Sequence, residues 1–217
     1  MARRGQSLRK RARGRSRPTI RQRLGLDRSG PPPRETRPGQ PLRPWTIPNL
    51  IGYIRLAAIP VFLVIALDSD GDEPDIWAAV LFWLIAVGDY VDGFVARATG
   101  QYSRLGALLD PIVDRITILS GAAVCWHFEL LPRWALAALA ARELLMLAMG
   151  QYYLRRGESI EINWFGRISV FPIMGAIFWA MVFPSIVWDV MFVAGVALAA
   201  FATVVYVRTG LSRLTAT

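Results

Sequence analysis

Four aspartates lie close together near the middle of the chain, in the 26 residues from Asp89 to Asp114. Hydrocarbon-rich stretches precede and follow this segment, at Ile76–Val87 and Ile116–Trp126. An ionised group in such surroundings costs roughly 3 kcal/mol or more unless it faces a polar cavity, a partner or a metal. A divalent cation would remove the repulsion among the carboxylates, and oxygen ligands suit Mg²⁺, Mn²⁺ or Ca²⁺. The residue types therefore predict a metal site, with a buried ion-pair cluster without chemistry as the alternative.

Helical spacing predicts that the acids form two facing stripes. The first stripe, at positions i, i+3, i+4, i+7 and i+8, contains Asp89, Asp92, Gly93, Ala96 and Arg97. The second, at i, i+4 and i+8, contains Gly106, Asp110 and Asp114. A short turn around Gly100–Arg104 would let the stripes face each other across a narrow gap. The glycines leave room in that gap for a ligand beside the metal.

The two stripes together resemble the signature of the CDP-alcohol phosphotransferases, D-x2-D-G-x2-A-R-x8-G-x3-D-x3-D, and match all of its fixed identities. The resemblance implies transfer of a phosphatidyl group from CDP-diacylglycerol to an alcohol, with release of CMP. It implies that Asp89, Asp92 and Asp110 bind Mg²⁺ or Mn²⁺. Asp114 stands at the position proposed in the family as the general base, and it is also counted among the metal ligands.

The resemblance also implies a binding site for the CDP part of the substrate. Its residues are Asn49, Asp92, Gly93, Ala96, Arg97 and Gly106. Asn49 belongs to the segment Ile47–Arg55, which is similar to the opening of the family's first span. This opening and the segment Ala141–Glu143 resemble the branch that makes phosphatidylglycerophosphate or cardiolipin. We therefore expect glycerol 3-phosphate or phosphatidylglycerol as the acceptor, with inositol phosphate or serine as alternatives.

Three arginines in or near apolar stretches are candidates for contacting the acceptor or a phosphate: Arg55, Arg142 and Arg167. Each has a structural alternative. Arg55 and Arg167 could extend to the membrane interface, and Arg142 could serve as an ion-pair partner inside the protein. A transporter that couples to cations or protons would also carry intramembrane aspartates, but no inverted repeat is evident in the sequence.

Composition predicts an all-α, multi-pass membrane protein, since 54% of the 217 residues are hydrophobic. The net charge of +9 comes mostly from the amino-terminal segment, where 14 of the 25 basic residues lie in Met1–Arg43. We interpret residues 1–44 as a mostly disordered cytoplasmic tail. Contact with anionic lipid headgroups explains its charge better than RNA binding, so no nucleic-acid partner is expected.

Residues 45–217 are predicted to form a domain of six transmembrane helices around a cytoplasm-facing polar cavity. The six apolar stretches are Pro48–Leu67, Ile76–Ala96, Leu105–His127, Trp134–Tyr153, Trp164–Pro184 and Val187–Val207. The first connection, Asp68–Asp75, carries five acids and no base, whereas the second and fourth connections carry arginines. Basic segments stay inside, so we expect both termini and the active site on the cytoplasmic side of the cell membrane. The sequence leaves open whether the protein is a homodimer.

Overall fold

The computed structural model describes residues 36, 40–69, 71, 74–155 and 168–214. The described residues form six α-helices: α1 (Ile47–Leu67), α2 (Ile76–Thr99), α3 (Arg104–His127), α4 (Arg133–Arg155), α5 (Val170–Val182) and α6 (Ile186–Leu214). The all-α prediction is confirmed, and each of the six predicted stretches overlaps one of these helices. Except for Thr36 and residues 40–44, the predicted tail lies outside the described residues, as does Arg167.

Local capping explains where the first three helices begin. The side chains of Thr46, Asp75 and Ser103 accept hydrogen bonds from backbone N–H groups in the first turn of α1, α2 and α3, respectively. Helix α2 ends at Gly100, whose φ of 67° is left-handed and suits glycine. The turn between α2 and α3 is therefore short, as the spacing of the aspartates requires.

Helix α3 is central and packs against α1, α2, α4 and α5, while α6 covers α4 and α5. The core between these helices is apolar. Its largest fully buried side chains include Phe62, Phe82, Leu136, Leu139, Ile177 and Phe192. The rings of Phe62 and Phe82 lie 5.5 Å apart and join α1 to α2. The two acidic stripes thus lie on helices that the core holds against each other.

Three of the described helices are long and apolar enough to cross a membrane: Ile47–Leu67, Ile76–Thr99 and Ile186–Val205. The described part of α5 is apolar but shorter. Helices α3 and α4 have suitable lengths but carry charged residues along their middle, among them Asp110, Asp114, Arg142 and Glu143. These charged residues belong to the polar clusters of the candidate site.

Gly121 lets α2, α3 and α5 approach closely. A Cβ atom on Gly121 would stand 2.5 Å from Cε2 of Phe82 and 2.8 Å from Cγ2 of Ile177. Gly121→Ala should therefore lower the melting temperature by about 3–10 °C, since overpacking costs about 1–3 kcal/mol. The matched control is Gly175→Ala, whose Cβ would meet Met191 at an ordinary 3.5 Å. Both changes gain the same helix propensity, so equal melting temperatures of the two purified variants would contradict this account of the packing.

Candidate active site

The four aspartates meet where the end of α2 faces the start of α3. Asp92 is buried with 4% exposure. The side chains of Asp89 and Asp114 are 47% and 40% exposed, and Asp110 is exposed one turn before Asp114. The charge of Asp110 also acts on Asp92 and Asp114. The acids therefore form one electrostatic cluster that is open on one side.

Arg55 of α1 connects three of these carboxylates. Its Nη1 atom lies 3.1 Å from Oδ2 of Asp92 and 3.4 Å from Oδ1 of Asp89. Its Nη2 atom donates to Oδ1 of Asp114 at 2.9 Å. One guanidinium thus joins α1, α2 and α3 through acids that belong to both stripes.

The position of Arg55 is set by its surroundings. The residue is only 4% exposed, and its Nε donates to the carbonyl oxygen of Ile85 at 2.9 Å. Gly88 provides the space, because a Cβ there would stand 2.9 Å from Cδ of Arg55. The guanidinium therefore points into the protein and not towards the membrane interface.

Asn49 ties the start of α1 to the start of α3. Its Nδ2 donates to the carbonyl oxygens of Arg43 and Pro44, both at 3.1 Å, and its Oδ1 accepts from the hydroxyl of Ser103 at 2.8 Å. Gly106 permits this arrangement, since a Cβ there would lie 2.6 Å from Oδ1 of Asn49. Both residues, which the sequence predicts as nucleotide contacts, hold the helices together here.

The remaining predicted nucleotide residues lie along the last turns of α2. Gly93, Ala96 and Arg97 are each partly exposed beside the acids. A Cβ on Gly93 would stand 3.2 Å from Nη1 of Arg97, so the guanidinium of Arg97 lies over the bare backbone of Gly93. This part of α2 presents a positive charge next to the acidic cluster.

A second polar network lies on the other side of α3. Glu143, which is 2% exposed, pairs with the neighbouring Arg142 and lies 3.4 Å from Nε of Arg115. Nε of Arg115 makes no hydrogen bond, so its contact with Glu143 is an ion pair only. Arg142 also donates from Nε to the hydroxyl of Thr203 on α6 at 3.1 Å. Two guanidinium groups thus face one carboxylate, which leaves the network with a net positive charge.

Several residues of both networks were not predicted from the sequence. Gly88 precedes Asp89 directly, and a glycine beside an acid could have suggested a close approach. Ser103, Arg115 and Thr203 gave no distinctive signal, because their partners are distant in the sequence or lie on another helix.

The chemistry of the donor set fits a hard divalent cation, since all four candidates are carboxylates. A positive group, the guanidinium of Arg55, already lies among three of them. In this arrangement, no three acid, cysteine or histidine side chains of the described residues converge as direct ligands of one ion. Binding of a metal by these acids therefore stays a prediction.

Comparison with known proteins places the candidate site in context. A family model described as CDP-alcohol phosphatidyltransferase matches residues 45–206. A cardiolipin synthase (CMP-forming) of Streptomyces coelicolor is 40% identical over 134 residues, which are 60% of this chain and 62% of that protein. A CDP-diacylglycerol--glycerol-3-phosphate 3-phosphatidyltransferase of Salmonella paratyphi A is 31% identical over 153 residues, 65% of this chain and 80% of that protein. A putative cardiolipin synthase of Mycobacterium tuberculosis is 33% identical over 130 residues, 59% of this chain and 61% of that protein. The chain thus spans about three fifths of the length of the two cardiolipin synthase relatives.

Proposed function

Because the chain belongs to the CDP-alcohol phosphatidyltransferase family, we propose that it transfers a phosphatidyl group from CDP-diacylglycerol to a glycerol-type alcohol and releases CMP. The observation that carries this proposal is the contact of Asp89, Asp92 and Asp114, from both halves of the family signature, with one shared cation, Arg55. The names of the relatives supply the substrate class. They also favour a transferase over a cation-coupled transporter.

Asp89, Asp92 and Asp110, together with Asp114, would hold the divalent cation, Mg²⁺ or Mn²⁺. When bound, it would neutralise the diphosphate of the substrate and the charge that develops on the leaving phosphate. Asp92 is buried and fixed by Arg55, whereas Asp89 and Asp110 are accessible from the open side of the cluster. The substrate phosphates would therefore approach the metal-holding aspartates from that open side.

Asp114 is our candidate for the general base. In the reaction, the acceptor hydroxyl oxygen forms a bond to the phosphorus that carries the diacylglycerol, and the bond from that phosphorus to the oxygen of CMP breaks. CMP leaves with the electron pair, and the carboxylate of Asp114 accepts the hydroxyl proton. The side chain is 40% exposed on the open side, while Nη2 of Arg55 holds one of its oxygens at 2.9 Å. The position is accessible to a substrate and restrained in orientation, as a general base requires.

The CDP part of the substrate would lie along the end of α2. Gly93 and Ala96 offer little side-chain bulk, and Arg97 could pair with a phosphate. Asn49 and Gly106 would form the floor beneath the nucleotide, because their own contacts fix α1 against α3.

The acceptor would approach from the side of α4. Arg115 directly follows Asp114 on α3, and Arg142 belongs to the same positively charged network. A phosphate on glycerol 3-phosphate or phosphatidylglycerol would be attracted to this wall of the site. Arg167 remains a candidate for the same role but lies outside the described residues. The relatives' names include both activities, so we propose a glycerol-type acceptor without choosing between the two.

We further propose that the chain crosses the membrane six times with the aspartates near the cytoplasmic face. Arg43, Arg97, Arg104 and Arg208 lie at or near the helix ends around the acidic cluster, whereas Asp68, Asp75, Glu129 and Asp189 lie at or near the opposite helix ends. A cluster of Trp179, Phe183 and Trp188 also lies at that opposite end, as is typical of a membrane interface. Arg55 and Asp114 would lie roughly 10–15 Å from their helix ends at 1.5 Å per residue, within reach of a lipid headgroup. The homodimer stays a prediction.

The proposed activity predicts CMP release only when CDP-diacylglycerol, a glycerol-type acceptor and a divalent cation are all present. Purified protein is incubated with glycerol 3-phosphate, phosphatidylglycerol, inositol phosphate or serine, and CMP and the lipid product are measured. Chelation of the metal should abolish the reaction, and Asp89→Asn or Asp110→Asn should do the same through loss of a ligand. Turnover with serine alone would contradict the acceptor class, and full activity of either variant without metal would contradict the site.

The role of Asp114 is tested by comparing Asp114→Asn with Asp89→Asn. If Asp114 accepts the proton, Asp114→Asn lowers kcat by about 10²–10⁴-fold, while its affinity for Mg²⁺ falls less than in Asp89→Asn. An asparagine still offers an oxygen to Arg55, so the local contact is preserved. Recovery of near-normal kcat by Asp114→Asn at high Mg²⁺ would show that Asp114 is a ligand instead.

The proposed orientation is tested with single cysteines and a thiol reagent that does not cross membranes. In intact cells, Gly71→Cys in the acidic first connection should react, and Gly157→Cys in the fourth should react only after the membrane is opened. The native Cys125 is fully buried and should give little background. The reverse pattern would place the aspartates on the other face of the membrane.

A further inference from the structure

The contacts of Arg55 differ from those expected of a substrate-binding residue. All three nitrogens of its guanidinium have partners inside the protein: the carbonyl oxygen of Ile85 and the carboxylates of Asp89, Asp92 and Asp114. The residue is 4% exposed. Without this guanidinium, the buried carboxylate of Asp92 would be unpaired whenever no metal is bound, which is costly in apolar surroundings.

The guanidinium is also held at this position from behind. Its Nε is anchored to Ile85 on α2, and its Cδ lies where a side chain at Gly88 would otherwise stand. Arg55 therefore cannot turn towards the membrane interface without breaking contacts on both sides.

We propose that Arg55 is an internal counter-cation, a positioning residue that keeps the carboxylates of α2 and α3 together when no divalent cation is bound. The four carboxylates carry four negative charges, and the guanidinium offsets one of them, so the cluster keeps a net negative charge that still attracts a divalent cation. Arg55 thereby stabilises the metal-free enzyme and, as a neighbouring positive charge, weakens its affinity for the metal. This inference rests on the proposed function only in assuming that the acids bind a metal.

Two readouts that do not depend on activity test this role in the purified full-length protein. Thermal unfolding is measured in chelator and in saturating Mg²⁺, and the Kd for Mg²⁺ is measured by calorimetry. In chelator, Arg55→Met should melt about 10 °C below the unmodified protein, because it leaves the buried carboxylate of Asp92 unpaired and removes the counter-charge shared by Asp89 and Asp114. Mg²⁺ should restore most of this loss and bind at least about tenfold more tightly than to the unmodified protein, since a nearby positive charge is gone.

Arg55→Lys and Arg133→Met serve as matched variants. The lysine keeps the charge but has only three N–H donors for the four acceptors that Arg55 contacts, so its melting temperature should fall while its Kd for Mg²⁺ stays within about threefold of normal. Arg133 is half-exposed at the other end of the bundle, paired with Glu129, and Arg133→Met should change neither readout appreciably.

The outcomes separate this inference from the proposed function. An Arg55→Met protein that binds Mg²⁺ no more tightly, or loses the same stability with and without Mg²⁺, would overturn the counter-cation role. So would a failure of Arg55→Met to fold even when it is prepared in Mg²⁺. If the unmodified protein and Asp89→Asn bind Mg²⁺ equally weakly, the proposed metal site itself fails.

Discussion

The balance of charge inside an apolar bundle is the constraint on which this structure depends. Four aspartates on α2 and α3 repel one another, and one of them, Asp92, is buried where solvent does not screen its charge. Arg55 on α1 offsets part of this repulsion, because Asp89, Asp92 and Asp114 share its guanidinium. Electrostatics therefore contributes to how α1, α2 and α3 are rotated relative to each other.

Close helix packing follows from this requirement. Gly88 leaves space for the stem of Arg55, and Gly106 leaves space for the side chain of Asn49. Farther along α3, Gly121 admits Phe82 and Ile177. A polar site inside the helix bundle requires the helix backbones to approach closely. Each of these glycines lacks a side chain that would prevent this approach.

Helix α3 separates two networks of opposite charge. The cluster shared with α1 and α2 is acidic. The network of Arg115, Arg142 and Glu143, which reaches Thr203 on α6, has a net positive charge. Because Asp114 and Arg115 are adjacent on α3, an anionic acceptor drawn to the second network would meet the base candidate of the first.

The sequence by itself determined the all-α class, the positions of the six helices and the family. These follow from local properties: apolar stretches, capping residues, the short turn at Gly100 and the spacing of the aspartates along each helix. The tertiary structure decided which distant residues meet. Arg55 reaches Asp114 across 59 residues and Arg142 reaches Thr203 across 61, and Asn49 proved to contact Ser103 and the chain before α1. Helical periodicity specifies which residues share a face of one helix, but the partner of that face depends on how the packed helices are rotated. That rotation is set by side-chain volumes and buried charges throughout the bundle.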